Sequence, residues 1–352
     1  MVLRPVPQLS GVAAYPLADL GGARLVSLAQ NESACPPSPR AVEAARAVLA
    51  DAALYPDPDC SDLRAAIAGV HDLQAGRVLF GAGSMELIAA IARAYLGPGD
   101  RALMPAYGYM YFATAARLAG ATVDLAPEAG LSVDVAALLD HVTPATRVVF
   151  VANPGNPTGT RIGRADILAL RDGLPGDVLL LVDEAYAEFA PTDPVFDLVT
   201  RGDTVVIRSF SKAYGLAGLR AGWGLFPDDV ATNVQKCLAP NGLTAPTQAA
   251  AAAAMRDQVW MRATVATTAG RRDRFRTRLR ALGLDLPESH TNFVLIGFGS
   301  DDAATRTDAA LRAGGLALRG MAGYGLPDRL RATVGAEDAM SLAAEIIEGA
   351  LR

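Results

Sequence analysis

Lysine is almost missing from this chain: of 32 Lys and Arg residues in 352, only Lys212 and Lys236 are lysine. Chemistry that needs a side-chain primary amine therefore has two candidates. Cysteine is equally sparse, with Cys35, Cys60 and Cys237 far apart, which argues against a disulfide framework or a zinc cluster. His71, His141 and His290 are scattered as well, with no partner at metal-ligand spacing. No stretch approaches the roughly 18 continuous apolar residues of a membrane span. The opening Met1-Val2-Leu3-Arg4-Pro5 has no apolar leader pattern, so a cytoplasmic protein is expected. A net charge of −5 speaks against a nucleic-acid surface.

Hydrophobic residues make up 51% and charged residues 20%, the composition of a packed core. The length exceeds a single core, so a large and a smaller domain are expected. Short apolar runs at Val78-Leu79-Phe80, Val148 to Val151, Val178 to Val182 and Val205-Val206-Ile207 alternate with helical patterns. Runs without polar alternation suit strands buried on both faces of a mostly parallel sheet, so the fold class is α/β. After Pro240-Asn241-Gly242 the texture changes: an alanine run, Ala249 to Ala254, leads into a long helical segment reaching about Gly283. Beyond it, Asn292 to Ile296, Leu316 to Leu318 and Leu330 to Val334 read as a small α+β unit closed by a helix. In Arg271 to Arg280, Phe275, Leu279 and Leu282 share one helical face, which leaves the arginines on a solvated face.

Polar clusters follow the buried strands, where ligands bind in open α/β sheets. Gly81-Ala82-Gly83-Ser84-Met85-Glu86 opens a helix and offers free amides to an anion such as phosphate; read alone, it is equally a plain strand-to-helix turn. Asn153-Pro154-Gly155-Asn156-Pro157 is a turn stiffened by two prolines that presents Asn156 rigidly. Asp183 ends an apolar run, a costly place for a carboxylate unless it meets a cation such as a protonated pyridine nitrogen; the competing reading is a helix cap. Ser209-Phe210-Ser211-Lys212, with Arg220 shortly after, can hold a phosphate and set a nucleophile beside it. Lys236 has no such company.

Together with Tyr55-Pro56-Asp57-Pro58, Tyr107-Gly108, Thr291-Asn292-Phe293 and Leu330 to Gly335, these segments resemble the fold-type-I pyridoxal-phosphate aminotransferases. They are most similar to the histidinol-phosphate aminotransferase group. The resemblance runs over almost the whole chain and implies an aspartate-aminotransferase-like fold, with a mostly parallel sheet between helices in the large domain and a smaller α+β C-terminal domain. It implies an N-terminal arm over 1–30 packing with the small domain, a cofactor-binding domain over 31–245 and a small domain over 246–352. It further implies that Lys212 holds pyridoxal 5'-phosphate as an imine and that Asp183 keeps its ring nitrogen protonated. Asn156 and Tyr186 would bind the ring oxygen and Tyr107 would stack on the ring. The Ser84 and Met85 amides, Ser209, Ser211 and Arg220 would hold the phosphate, joined by Tyr55 from a second subunit of a homodimer. Arg331 would clamp the substrate carboxylate, with Arg319, Tyr15 and Asn31 as further substrate contacts. The sequence departs from the group at Asn31-Glu32-Ser33, at Gly155, at Met85, where an acidic residue is usual, and in lacking Gly-Lys after the early Tyr.

The expected reaction is transamination between small amino acids and 2-oxo acids, with histidinol phosphate and 2-oxoglutarate as the leading pair. Lys212 would move the Cα proton while the ring takes up the carbanion's electrons. The alternatives are an aromatic amino acid aminotransferase, a phospho-amino-acid decarboxylase of the same fold, and a non-catalytic cofactor-binding regulator. The intact Lys212 and the lack of a helix-turn-helix segment count against the regulator.

Overall fold

The structure is a computed structural model that describes residues 3–9, 12–14, 25–191 and 193–352. Its strands in chain order are β1 (Val26–Ser27), β2 (Val78–Ala82), β3 (Arg101–Pro105), β4 (Thr122–Ala126), β5 (Thr146–Ala152), β6 (Leu179–Asp183), β7 (Thr204–Ser209), β8 (Ala221–Leu225), β9 (Phe293–Gly297), β10 (Leu316–Ala317), β11 (Arg319–Gly320) and β12 (Arg329–Thr333). Seven of them form one sheet in the order β2-β8-β7-β6-β5-β3-β4. Strands β7, β6, β5, β3 and β4 run parallel, whereas β8 pairs antiparallel with both β2 and β7. Every residue of β6 and β7 is buried, as continuous apolar runs covered by helices on both faces require.

The fold is the α/β architecture expected from the sequence, with the four anticipated strands in place. Three others were not anticipated: Arg101–Pro105, whose apolar run is only Ala102-Leu103-Met104 before a proline, and Thr122–Ala126 and Ala221–Leu225, whose patterns are broken by Asp124 and by Gly222 and Gly224. A smaller antiparallel sheet has the order β11-β12-β9, and β1 lies parallel to β10. Around it Phe275, Leu279, Val294, Ile296, Leu330 and Ile347 form a separate core that also takes in Leu28.

The predicted long helix is two helices, Ala245–Arg256 and Gln258–Ala281. Asp257 separates them, its carboxylate accepting from Trp260 N at 3.3 Å to cap the second and from Ser38 Oγ at 2.6 Å. The alanine helix packs against the helices Pro39–Ala47 and Ser61–His71. Its buried Ala250, Ala251 and Ala254 belong to the core beneath the large sheet. The arginine face also differs from expectation. Arg272, Arg276 and Arg280 donate to the carbonyls of Thr291, Pro287 and Leu286 at 3.1, 2.8 and 2.8 Å, and so tie the loop before β9 to the helix.

Candidate active site

A cavity of about 540 Å³ opens at the C-terminal ends of β5, β6 and β7 and the N-terminus of the helix Ser84–Tyr95. Twelve of the residues expected at a site line it: Asn31, Ser84, Met85, Asn156, Asp183, Tyr186, Ser209, Ser211, Lys212, Arg220, Arg319 and Arg331. They lie far apart in sequence; the parallel strands deliver the loops after β5, β6 and β7 to one edge, and the small sheet and the N-terminal segment bring Arg319, Arg331 and Asn31 against it.

One end of the cavity is built for an anion. Gly83, at φ +79°, turns the chain from β2 into the helix, whose Ser84 and Met85 face the cavity. A side chain at Gly83 would put Cβ 2.2 Å from Arg220 Nη2, and one at Gly222 would put Cβ 2.3 Å from Ser84 N. Both glycines therefore permit a close approach: the guanidinium against the turn, and β8 against the helix N-terminus. Arg220 Nη1 donates to Ser211 Oγ at 3.4 Å, and Ser211 N donates to Ser209 Oγ at 3.1 Å. First-turn amides, hydroxyls and a guanidinium make a phosphate-type donor set.

The amine and the acid lie deeper. Lys212 Nζ donates to the Asn31 carbonyl at 2.9 Å and lies 5.7 Å from the Tyr186 ring centroid. Burial, with Arg331 and Arg220 nearby, pulls its pKa down to about 8. Asp183 ends β6 and is 4% exposed, and its Oδ1 accepts from Ala185 N at 3.0 Å. Burial pushes its pKa up to about 7, with Lys212 opposing. The Tyr186 hydroxyl accepts from Asn31 Nδ2 at 2.9 Å, and burial raises its pKa above the usual range. Both prolyl bonds of the Asn153–Pro157 turn are cis.

The far wall comes from the small sheet and the N-terminal segment. Arg331 on β12 donates to Asn156 Oδ1 at 2.5 Å and to the Ala29 carbonyl at 3.0 Å, with its guanidinium 5.2 Å from the Phe293 ring centroid. Arg319 on β11 lines the same wall. Asn31, at φ +54°, receives Lys212 and Asn292 on its carbonyl, and its N–H donates to Thr333 Oγ1 at 2.9 Å.

The model of the family described as aminotransferase class I and II matches residues 23–347. This chain belongs to that family. Among the relatives of this class I and II aminotransferase, the histidinol-phosphate aminotransferase of Ruegeria pomeroyi is 44% identical over 323 residues, 90% of this chain and 88% of that protein. The protein of the same name from a Jannaschia species is 42% identical over 342 residues, 95% of this chain and 94% of that one. The crystal structure of histidinol-phosphate aminotransferase from Sinorhizobium meliloti in complex with pyridoxal-5'-phosphate superposes with a TM-score of 0.92 at 28% identity, covering 100% of this chain and 98% of that one.

Three expected site residues of this aminotransferase stand apart from the cavity as described. Tyr107 does not line it: its amide donates to Glu128 Oε1 at 2.8 Å, and its ring packs with Leu295, Met321 and Leu326. Tyr109 and Met110, at the start of the helix Met110–Leu118, are in the lining. Tyr55 is 88% exposed and outside the cavity. Tyr15 lies outside the described residues. The cavity also contains Glu32, Tyr109, Met110 and Tyr324, which the sequence reading did not place at the site. The signal for Tyr324 was its aromatic ring between two glycines, Gly323 and Gly325.

Proposed function

We propose that this chain is a pyridoxal-phosphate-dependent histidinol-phosphate aminotransferase, acting in histidine biosynthesis with 2-oxoglutarate as the amino acceptor. The observation that carries the reading is the joint lining of one cavity by a depressed lysine amine, a raised aspartate carboxyl and a helix-N-terminal anion cradle. The names of the relatives support the substrate. The proposed setting is the cytoplasm, and the proposed assembly is a homodimer.

The cavity residues fit the cofactor's three polar parts. The Ser84 and Met85 amides, Ser209, Ser211 and Arg220 would take the phosphate, Asp183 the ring nitrogen, and Asn156 and Tyr186 the ring oxygen. Tyr107 is proposed to stack on the ring, with Tyr109 and Met110 of the cavity wall nearby, and Tyr55 would come from the second subunit. When bound, pyridoxal phosphate supplies an electrophilic carbonyl and an electron-accepting ring. The chain's part is to hold and move protons. An amine near pKa 8 is partly neutral at physiological pH, so Lys212 can act as a nucleophile and then carry the substrate's Cα proton on Nζ. Asp183, given a pyridinium to face, ionises and holds the proton on the ring nitrogen. The planar fork of Arg331 can accept a carboxylate or a phosphate, and Arg319, Asn31 and Tyr15 are proposed beside it. Either substrate of the pair then finds an anion partner.

The apolar and aromatic wall of Tyr109, Met110 and Tyr324 supports aromatic amino acids as secondary donors. We divide the chain at 1–30, 31–245 and 246–352, with the first helix of the last segment seated on the large unit's core. The test is spectroscopic. Pyridoxal phosphate added to the purified chain is expected to give a visible band that histidinol phosphate bleaches and 2-oxoglutarate restores, with phenylalanine slower. The band is expected to be absent from Lys212→Ala. Its persistence there, or inertness toward both amines, would overturn the assignment.

A further inference from the structure

Behind the cavity, on the other face of the sheet, lies a buried ionic cluster that the cofactor contacts do not use. Arg208 precedes the cavity-lining Ser209 in β7, and side chains alternate across a strand, so Arg208 faces away from the cavity. It is 8% exposed; its Nε and Nη2 both donate to Glu184 Oε2, at 2.9 and 2.7 Å, and its Nη1 lies 3.9 Å from Glu188 Oε1. The guanidinium sits 4.6 Å from the Phe196 ring centroid and 5.9 Å from that of Trp223. Buried ion pairs of this kind are often no more stabilising than well-packed apolar side chains, so stability alone gives no reason for it.

Its position does. The β6–β7 ladder pairs Asp183 with Ile207 as its last register, and Glu184 N donates to the Ile207 carbonyl at 2.8 Å. Beyond this the two chains separate into loops. One follows Asp183, the last residue of β6, and carries Tyr186; the other follows Ser209, the last residue of β7, and carries Ser211 and Lys212. Arg208 and Glu184 bridge the two segments where the ladder ends, and Glu184 and Glu188 flank Tyr186 in sequence.

We propose that Arg208, Glu184 and Glu188 form a positioning clasp that sets the spacing between the acid-bearing and amine-bearing segments of the cofactor site. The clasp rests on the reading of the cavity as a pyridoxal-phosphate site. It acts through the backbone and touches neither cofactor nor substrate. The charged groups facing the Lys212 amine are Arg331, Arg220, Glu32 and Asp183, and of these Asp183 is the one whose distance the clasp governs.

The test compares Arg208→Lys and Glu184→Gln with Arg171→Lys. Arg171 is 3% exposed and donates to the carbonyls of Leu174, Pro175, Val178 and Asp203, at the ends of β6 and β7 away from the cavity. It therefore reports the cost of weakening any buried arginine. The measurements are the pyridoxal-phosphate dissociation constant, the pH midpoint of the visible band and the melting temperature. The clasp variants are expected to raise the dissociation constant about tenfold, the scale on which losing a supporting partner weakens a bound group, and to move the midpoint. Arg171→Lys is expected to lower the melting temperature and leave the other two at wild type. Clasp variants that match Arg171→Lys in dissociation constant and midpoint would overturn the clasp. If Arg208→Lys does not fold, Glu184→Gln decides alone, since it keeps the side chain's shape while removing the charge that pairs with Arg208. A wild-type chain that forms no band would remove the functional reading itself, before any variant is compared.

Discussion

Asp183 and Lys212 are perturbed in opposite senses by the same burial, and each becomes a lever on stability. The Asp183 carboxyl is raised from 3.8 to about 7 in the folded chain, so the fold binds a proton there that the unfolded chain releases above pH 4. Its favourable contribution is full below the unfolded pKa and lost as pH rises through about 7. Cofactor-free Asp183→Asn is therefore expected to melt above cofactor-free wild type at pH 8, with the gap closing toward pH 4, as read by thermal denaturation. The same substitution should lower turnover by roughly 10²–10³-fold, the range for removing one charge-stabilising group. Arg331 offers a different test, since its two prongs to Asn156 and Ala29 match a planar anion and a lysine's would not. Arg331→Lys is expected to raise KM for 2-oxoglutarate roughly tenfold or more, in keeping with a charged hydrogen bond lost, while kcat falls less.

Strand β8 shows why some elements escape a reading by apolar pattern. Its Gly222 and Gly224 are required by neighbours: a Cβ would meet Ser84 N at 2.3 Å in one case and Phe226 Cε2 at 2.7 Å in the other. Close approach of a helix start at Gly222, and of Phe226 and β7 at Gly224, thus removes the side chains that mark a strand. The runs in β5, β6 and β7 were legible because burial on both faces leaves their pattern unbroken. Tyr109, which lines the cavity, was not singled out, because Tyr107, Tyr109 and Tyr111 lie close together and spacing does not say which ring faces the cavity. Gly222→Ala is expected to weaken phosphate-group binding about tenfold and to cost about 1–3 kcal/mol, the range for overpacking, by equilibrium denaturation and cofactor titration. Gly69→Ala is the contrast. It lies in the helix Ser61–His71 with nothing within 4 Å of the added Cβ, and it should stabilise by about 0.5–1 kcal/mol with activity unchanged.

The two sheets and the N-terminal segment meet at Asn31, which touches Lys212 and Tyr186 on one side and Thr333 on the other. That convergence was invisible in composition or periodicity, because it joins residues about 150 to 300 positions apart. The large exposure of Tyr55 fits the proposed homodimer, in which this ring enters the neighbouring cavity. Light scattering should report two chains per particle. A mixture of Tyr55→Ala and Lys212→Ala chains should recover activity that neither has alone, because each hybrid holds one intact site.

The scarcity of lysine has a practical use. Lys236 is exposed and paired with Asn233 at 3.0 Å, whereas Lys212 is reached only from the cavity. An amine-selective acylating reagent would therefore meet one outward ε-amino group at once and the inward one only while the cavity stands open. Counting adducts per chain by mass spectrometry would then serve as a direct gauge of occupancy, with no chromophore and no engineered tag.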